Sequence, residues 1–365
     1  MDKRKLFRLF ITFTSIICLL CTGCSGGAAA STDISASGSG SHSSSPGGPG
    51  DSPGSGTSAS TIGSGNSTGT AAKSTGGQDA QTAATGTRDN QPVVKTPTAD
   101  GTVTYGNELV TIDASHSDDG YVMVKYNGTN EMVKVLITIP GFDKDYQYTL
   151  RSNDYEAFPL TGGSASYKIT VYESVSVSEN KYAPIYKLET DFTIKDEFSP
   201  FLYANQYVNF TKDSAAVAKG ASLAASADTD LDVVANVYHY LVDNVIYDKA
   251  KAKDVEDKKI KLYLPDPDDT LDTGEGICFD YAALMTTMLR SQRIPTKLVI
   301  GYAGTTYHAW ISTYITDVGW IDNIIQFDGK TWTMMDPTFA ASGKGSKDTE
   351  KFITDSSNYT TSYVY

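Results

Sequence analysis

Cys278, His308 and Asp336 follow one another at intervals of 30 and 28 residues, and together these three side-chain types can carry out acyl transfer. A thiolate attacks a carbonyl carbon, an imidazole takes and returns the proton, and a carboxylate holds the imidazole in its working tautomer. The chain has four cysteines, of which Cys18, Cys21 and Cys24 crowd into the N-terminal segment. Cys278 therefore has no partner for an intramolecular disulfide once that segment is processed. A lone thiol is most simply a small buried hydrophobe. Cys278, however, follows Gly274-Glu275-Gly276 at the start of a helical pattern. A helix N-terminus favours negative charge, and its first-turn N–H groups can hold an oxyanion. Of the four histidines, His42, His116 and His239 precede Cys278, and only His308 follows it.

These residues need a frame. Leu231, Val234, Tyr238, Leu241, Val242 and Val245 recur at helical spacing and predict an amphipathic helix over about Asp230 to Val245. A polar, Lys/Asp-rich stretch runs from Asp248 to Asp272, and a second helix is expected from about Cys278 to Arg290, ended by Ile294-Pro295. Lys297 to Tyr302, His308 to Ile311 and Lys330 to Met335 read as strands, which makes this region α+β. Asp266, Asp268, Asp269 and Asp272 lack the ligand spacing of a calcium loop and read as a solvated turn. No His/Cys cluster and no glycine-rich nucleotide loop is present, so neither a metal nor a cofactor is expected.

Ahead of this region, about Gly101 to Ile194, the pattern is β. Tyr121–Val124, Val133–Ile139, Tyr167–Tyr172 and Tyr186–Ile194 are β-branched and aromatic runs separated by Asp119-Gly120, Asn127-Gly128, Pro140-Gly141 and Gly162-Gly163. Such spacing predicts a small antiparallel sandwich, whose tyrosines either pack across strands or form a binding face.

The N-terminal hundred residues cannot fold this way. Between Ser25 and Thr104 there is no Phe, Trp or Tyr, and runs such as Gly47-Gly48-Pro49-Gly50 predict a disordered tether. Its end-to-end span would be about 45–50 Å as a Gly/Ser coil. Lys3, Arg4, Lys5 and Arg8 precede an apolar run from Phe10 to Leu20, too short to span a bilayer, which reads as a signal peptide. The following Cys21-Thr22-Gly23-Cys24 resembles the lipobox of bacterial lipoproteins, which implies lipidation of Cys24. The formal charge is −13, and loss of the first 23 residues, net +3, leaves −16. A chain so acidic, with no basic cluster, excludes nucleic acid as a partner.

Gly276-Ile277-Cys278-Phe279-Asp280-Tyr281-Ala282-Ala283-Leu284, Arg293-Ile294-Pro295-Thr296-Lys297, Gly301-Tyr302, Tyr307-His308-Ala309-Trp310 and Trp332 through Asp336-Pro337-Thr338 resemble, in type, order and spacing, the bacterial transglutaminase-like family. The resemblance covers about Asp230 to Phe339, with Tyr203-Ala204-Asn205-Gln206-Tyr207 as a weaker lead-in. It implies a papain-like α+β fold and a Cys-His-Asp triad of Cys278, His308 and Asp336. Two departures stand out. Ile311-Ser312-Thr313 follows His-Ala-Trp where the family has an acidic or amide residue, and Arg293 replaces the usual Gly before Ile-Pro.

The expected organisation is a signal peptide over 1–23, a tether over 24–100, a β-sandwich over 101–197 and a transglutaminase-like domain over 198–365. The expected protein is lipid-anchored to the cell membrane, outside the cytoplasm, with a cysteine hydrolase acting on peptide or isopeptide bonds of a peptide or protein substrate at the cell surface. A crosslinking transamidase and a non-catalytic adhesion or scaffold module are the alternatives. The Cys278 N–H is one expected oxyanion donor, and Tyr247 is the candidate for a second. Trp310 is a candidate wall of the cleft, or core beside His308. Asp280 is either a tuner of the thiol or a carboxylate matched to the helix dipole.

Overall fold

Runs of buried β-branched and aromatic residues along the strands after Gly101 build two facing antiparallel sheets. In the computed structural model, which describes residues 11–12, 87–151, 153–316, 318–322, 325–327, 332–334, 337–338 and 356–365, nine strands precede the first α-helix. They are β1 (Ile11–Thr12), β2 (Thr104–Gly106), β3 (Val110–Asp113), β4 (Tyr121–Tyr126), β5 (Val133–Thr138), β6 (Tyr146–Leu150), β7 (Glu156–Pro159), β8 (Ala165–Ser176) and β9 (Lys181–Phe192). One sheet runs β2-β3-β4-β7 and the other β1-β9-β8-β5-β6. Val110, Ile112, Val122 and Val124 of the first share a core with Val133, Val135, Ile137, Ile169 and Val171 of the second. The sandwich expected from the β-branched and aromatic runs and the turn signals between them is there. Its tyrosines divide: Tyr146, Tyr148 and Tyr167 are buried, whereas Tyr105, Tyr155 and Tyr186 are half-buried.

The second region follows as α1 (Ala215–Ala224), α2 (Asp230–Asn244), β10 (Ile246–Tyr247), α3 (Lys249–Glu256), α4 (Pro267–Thr273), β11 (Glu275–Gly276) and α5 (Cys278–Ser291). Strands β12 (Thr296–Ala303), β13 (Thr306–Ile315), β14 (Gly319–Asp322), β15 (Ile325–Phe327), β16 (Trp332–Met334) and β17 (Tyr359–Val364) complete it. The sheet order is β14-β13-β12-β17, all antiparallel. Helix α5 is buried at every residue except Phe279, the mark of a central helix rather than an amphipathic surface one. α1, α2, α4, β12 and β13 surround it. Gly220 lets α1 come this close, since a Cβ there would lie 3.1 Å from the Met288 Cα.

The helix starts explain themselves. Thr229 caps α2, its Oγ1 accepting from the Asp232 N–H at 3.2 Å while the Asp232 carboxylate accepts from the Thr229 N–H at 2.9 Å. Two of the four aspartates near α4 likewise hold helix N-termini. Asp266 accepts from the N–H groups of Asp268 and Asp269, and Asp268 accepts from the Ala216 N–H in the first turn of α1 at 2.8 Å.

The described residues from 87 onward belong to one compact unit. Gln206 donates to the Thr149 carbonyl at 2.6 Å and the Tyr207 hydroxyl to the Gln147 carbonyl at 3.0 Å, so the sandwich and the α+β region share a continuous core. Residues 87–100, placed by composition at the end of the tether, form a strap across that unit. Arg88 pairs with Asp230 at 2.6 Å, the Val93 N–H donates to the Ser291 carbonyl at 2.8 Å, and Asp100 meets His116 at 2.8 Å. The rest of the expected tether, Cys24 and the 1–23 segment apart from Ile11–Thr12 lie outside the described residues. Among the described residues no helix is long and apolar enough to cross a membrane.

Candidate active site

Cys278 occupies the first position of α5, as the sequence predicts, and is buried with 2% of its surface exposed. Ile277 before it is extended (φ −96°, ψ 176°), so the chain enters the helix abruptly and the first-turn N–H groups face outward along the axis. Isoleucine has no side-chain acceptor with which to cap that turn. Asp280 does the complementary half of the job, its Oδ2 accepting from the Ile277 N–H at 2.8 Å.

That carboxylate is fully buried and has two further donors. The Tyr263 hydroxyl donates to Oδ1, and Lys251 Nζ lies 3.4 Å from Oδ2. Burial lifts the Asp280 carboxyl above its ordinary range, opposed by the hydrogen bonds from Tyr263 and Ile277 and by the Lys251 charge. Burial and the neighbouring carboxylate push the Tyr263 phenol up, so it remains a donor. Gly276 leaves room for this arrangement, since a Cβ there would come within 2.7 Å of the Asp280 Cβ.

His308 sits on β13, 4% exposed, opposite Gly301 of β12. Its neighbour Tyr307 has its phenol lifted chiefly by burial, with added contributions from Tyr363, Tyr207, Tyr302 and the Cys278 thiol. Strand β13, which carries His308, packs along α5. Trp310 is buried, its ring stacked toward His308 at 6.2 Å and edge-on to Tyr359 at 5.3 Å. Asp336 lies outside the described residues, but Pro337 and Thr338 directly after it are described and buried. A small cavity is lined by Ala282 and Met285 of α5, by Ala309, Trp310 and Ile311 of β13, and by Pro337 and Thr338. Trp310 thus packs in the core beside His308 and also lines this cavity.

Tyr247 is brought next to the turn that leads into Cys278. β10 pairs in parallel with β11, placing Tyr247 opposite Gly276, two residues ahead of Cys278. The N–H groups of Ile246 and Asp248 donate to the carbonyls of Gly274 and Gly276 at 2.8 and 2.9 Å, which turns the Tyr247 N–H toward the other edge of the strand. Of the remaining histidines, His116 is clasped by Asp100 and Asp119 in the sandwich, and His239 packs on Tyr238 in α2. His42 lies outside the described residues. Among the described residues no group of three or more His, Cys, Asp or Glu side chains could hold a metal.

The sequence reading missed the partners of Asp280 and the aromatic surroundings of the thiol. Phe279 lies 5.7 Å from Tyr207 and 6.4 Å from Tyr263, ring centre to ring centre. Nothing local marks Tyr263, which stands in a charged stretch, although Asp248 ahead of α3 and Asp266-Pro267 at α4 are helix-start signals within it.

No curated protein matches the sequence. Among solved structures, a candidate cysteine protease from Cytophaga hutchinsonii is similar over 72% of this chain and 73% of its own, at 12% identity and a TM-score of 0.34. The periplasmic domain of TgpA from Pseudomonas aeruginosa is similar over 68% of this chain and 98% of its own, at 15% identity and a TM-score of 0.29. Residues 217–337, which contain Cys278, His308 and Asp336, match the profile of the transglutaminase-like superfamily. On that match and the mixed α/β architecture, the chain carries a transglutaminase-like domain.

Proposed function

We propose that this domain is a cysteine hydrolase of peptide or isopeptide bonds, presented outside the cytoplasm on a lipoprotein tether anchored through Cys24. The Cys278 sulfur bonds to the carboxamide carbon as His308 takes the thiol proton, and a tetrahedral oxyanion forms beside the Cys278 N–H. The C–N bond then breaks, the proton passes from His308 to the leaving amine, and a thioester remains. Water adds to the thioester with His308 as base, releasing the acid and restoring the thiol. Asp336 keeps the imidazole in the tautomer this exchange requires. Tyr247 is the candidate second oxyanion donor.

The observation that supports this reading is Cys278 at the first turn of the buried helix α5, packed along the strand β13 that carries His308, within the segment 217–337 that matches the transglutaminase-like profile. The test is iodoacetamide labelling of Cys278 at pH 7, followed by intact mass, in the wild-type protein and in His308→Ala. Labelling much faster than that of a free thiol, and lost in the variant, is expected. Screening with peptides and primary amines would then separate hydrolysis from transamidation. Labelling no faster than a free thiol in both proteins would leave Cys278 as packing and the domain as a scaffold.

A further inference from the structure

The Asp280 carboxylate stands two residues from the proposed nucleophile, wholly buried, and the acyl-transfer steps above give it no role. A carboxylate only needs the first turn of a helix to interact favourably with the dipole; it need not be buried there. Burying one is costly unless donors surround it, and here three donors come from separate places. The Ile277 N–H is the residue before Cys278, Lys251 belongs to α3, and Tyr263 belongs to the stretch after α3.

Those last two belong to one closed segment. It leaves the nucleophile turn at Asp248, whose N–H donates to the Gly276 carbonyl at 2.9 Å and whose carboxylate caps α3 through the Lys251 N–H at 2.8 Å. It returns at Tyr263, whose ring packs near Phe279 and under Lys251 Nζ, 5.6 Å from the ring centre. Both ends of residues 248–263 are therefore fastened to residues 276–280, the return through Asp280.

We infer that Asp280 is a positioning residue: it locks the Gly276–Cys278 turn to the 248–263 segment and so fixes the direction of the first-turn N–H groups that would meet the oxyanion. The inference rests on the reading of Cys278 as nucleophile. Its charge argues against a role in activating the thiol, because a carboxylate this close disfavours a thiolate. Lys251 offsets part of that charge. The contribution of Asp280 is geometric, and misplacing a reacting group by an ångström is enough to cost about 100-fold in rate.

Two probes separate geometry from thiolate chemistry. p-Nitrophenyl acetate acylates a cysteine through an oxyanion, whereas iodoacetamide alkylates it without one. Asp280→Asn keeps the shape and one acceptor oxygen while removing the charge; Tyr263→Phe removes a single donor from a half-buried ring and is expected to fold. For Asp280→Asn, kcat with p-nitrophenyl acetate should fall about 10- to 100-fold. Tyr263→Phe should give a smaller fall in the same direction. The iodoacetamide rate at pH 7 should stay within about threefold of wild type or rise in both variants, since removing negative charge favours the thiolate. Both are compared with wild type well below their melting temperatures. Unchanged ester turnover in both variants would overturn the inference, and so would ester turnover and alkylation falling in parallel. A wild-type protein with no ester turnover, and with alkylation indifferent to His308→Ala, would instead remove the nucleophile reading itself.

Discussion

Arg290, near the end of α5, donates from Nη2 to the main-chain oxygen of Tyr365 at 2.8 Å. Its Nη1 reaches the Tyr203 carbonyl at 2.6 Å and its Nε the Thr296 carbonyl at 2.9 Å, so one guanidinium joins α5, the lead-in segment and β12 to the residue after β17. It is 1% exposed, and burial pushes it down to about 9, which leaves it charged at neutral pH. Arg290→Met would keep the stem and leave the Thr296 and Tyr203 carbonyls without this donor, each costing about 1–3 kcal/mol, while the Tyr365 oxygen keeps the Leu298 N–H at 2.9 Å; the loss is partly offset by the cation no longer being buried. A net loss of about 2–5 kcal/mol in urea unfolding is expected, and a loss below about 1 kcal/mol would mean that water replaces the guanidinium.

Gly301 faces His308 across β12 and β13 and lies where β17 pairs irregularly with β12. A Cβ there would sit 2.0 Å from the Thr360 carbonyl oxygen and 2.7 Å from Trp310 Cη2. The first of these is backbone and cannot rotate away. Gly301→Ala should therefore push β17 off the sheet and displace Trp310, costing about 1–3 kcal/mol or more. Near-UV circular dichroism should report the altered Trp310 environment, and an unchanged spectrum together with unchanged stability would contradict the close approach.

Much of this site is legible in the sequence because helical spacing marks α2, while Gly274-Glu275-Gly276 and Ile294-Pro295 bracket α5. The helix expected from Cys278 to Arg290 runs Cys278–Ser291, and the one expected from Asp230 to Val245 runs Asp230–Asn244. The strands at Lys297 and His308 are longer than expected but in place. Helix α1 escapes notice because Ala215–Ala224 carries small residues, whose value lies in letting α5 approach rather than in an apolar stripe. Helix α3, Lys249–Glu256, is polar and is held by its cap and its ends. The strap over 87–100 is illegible for another reason. Its partners, such as Asp230, Ser291 and Gln292, are well over a hundred residues away, and no local pattern records them.

Arg293 shows why the strap matters. Its φ of 64° is the left-handed region that glycine adopts freely, which accounts for the family's preference for Gly at this position. The arginine is compensated through the strap, donating from Nη1 to the Gln91 carbonyl at 2.8 Å and from Nη2 to the Asp89 carbonyl. A chain starting at Gly101 should be less stable than one starting at Thr87 by about 2–4 kcal/mol, from the lost hydrogen bonds and the Arg88–Asp230 pair. Arg293→Gly should stabilise the shorter chain, by about 1 kcal/mol from relieved strain, and fail to stabilise the longer one. An equal effect in both would show that the strap contacts carry no weight.

The other end of the strap is a titrating clasp. His116 Nε2 meets Asp100 at 2.8 Å and Nδ1 meets Asp119 at 3.1 Å, while its ring stacks on Tyr121 at 5.5 Å. Burial works to lower the imidazole, but hydrogen bonds and charge from Asp100 and Asp119 outweigh it, and the group ends above its ordinary value. A raised base stabilises the fold below its unfolded value, near 6.5, and that stability is lost as pH climbs through the folded value. The Asp100 carboxyl is correspondingly held low, first by its hydrogen bond from His116. Raising the pH from 6 to 8 should therefore loosen residues 98–101. Hydrogen exchange, corrected for its intrinsic pH dependence, should show falling protection at Gly101, whose N–H also donates to Asp113 at 2.6 Å. Asp100→Asn should lower the NMR titration midpoint of His116 and flatten the change in protection. A midpoint at or below about 6.5 in the wild-type protein would show that burial wins over the two carboxylates and that the clasp does not respond to pH.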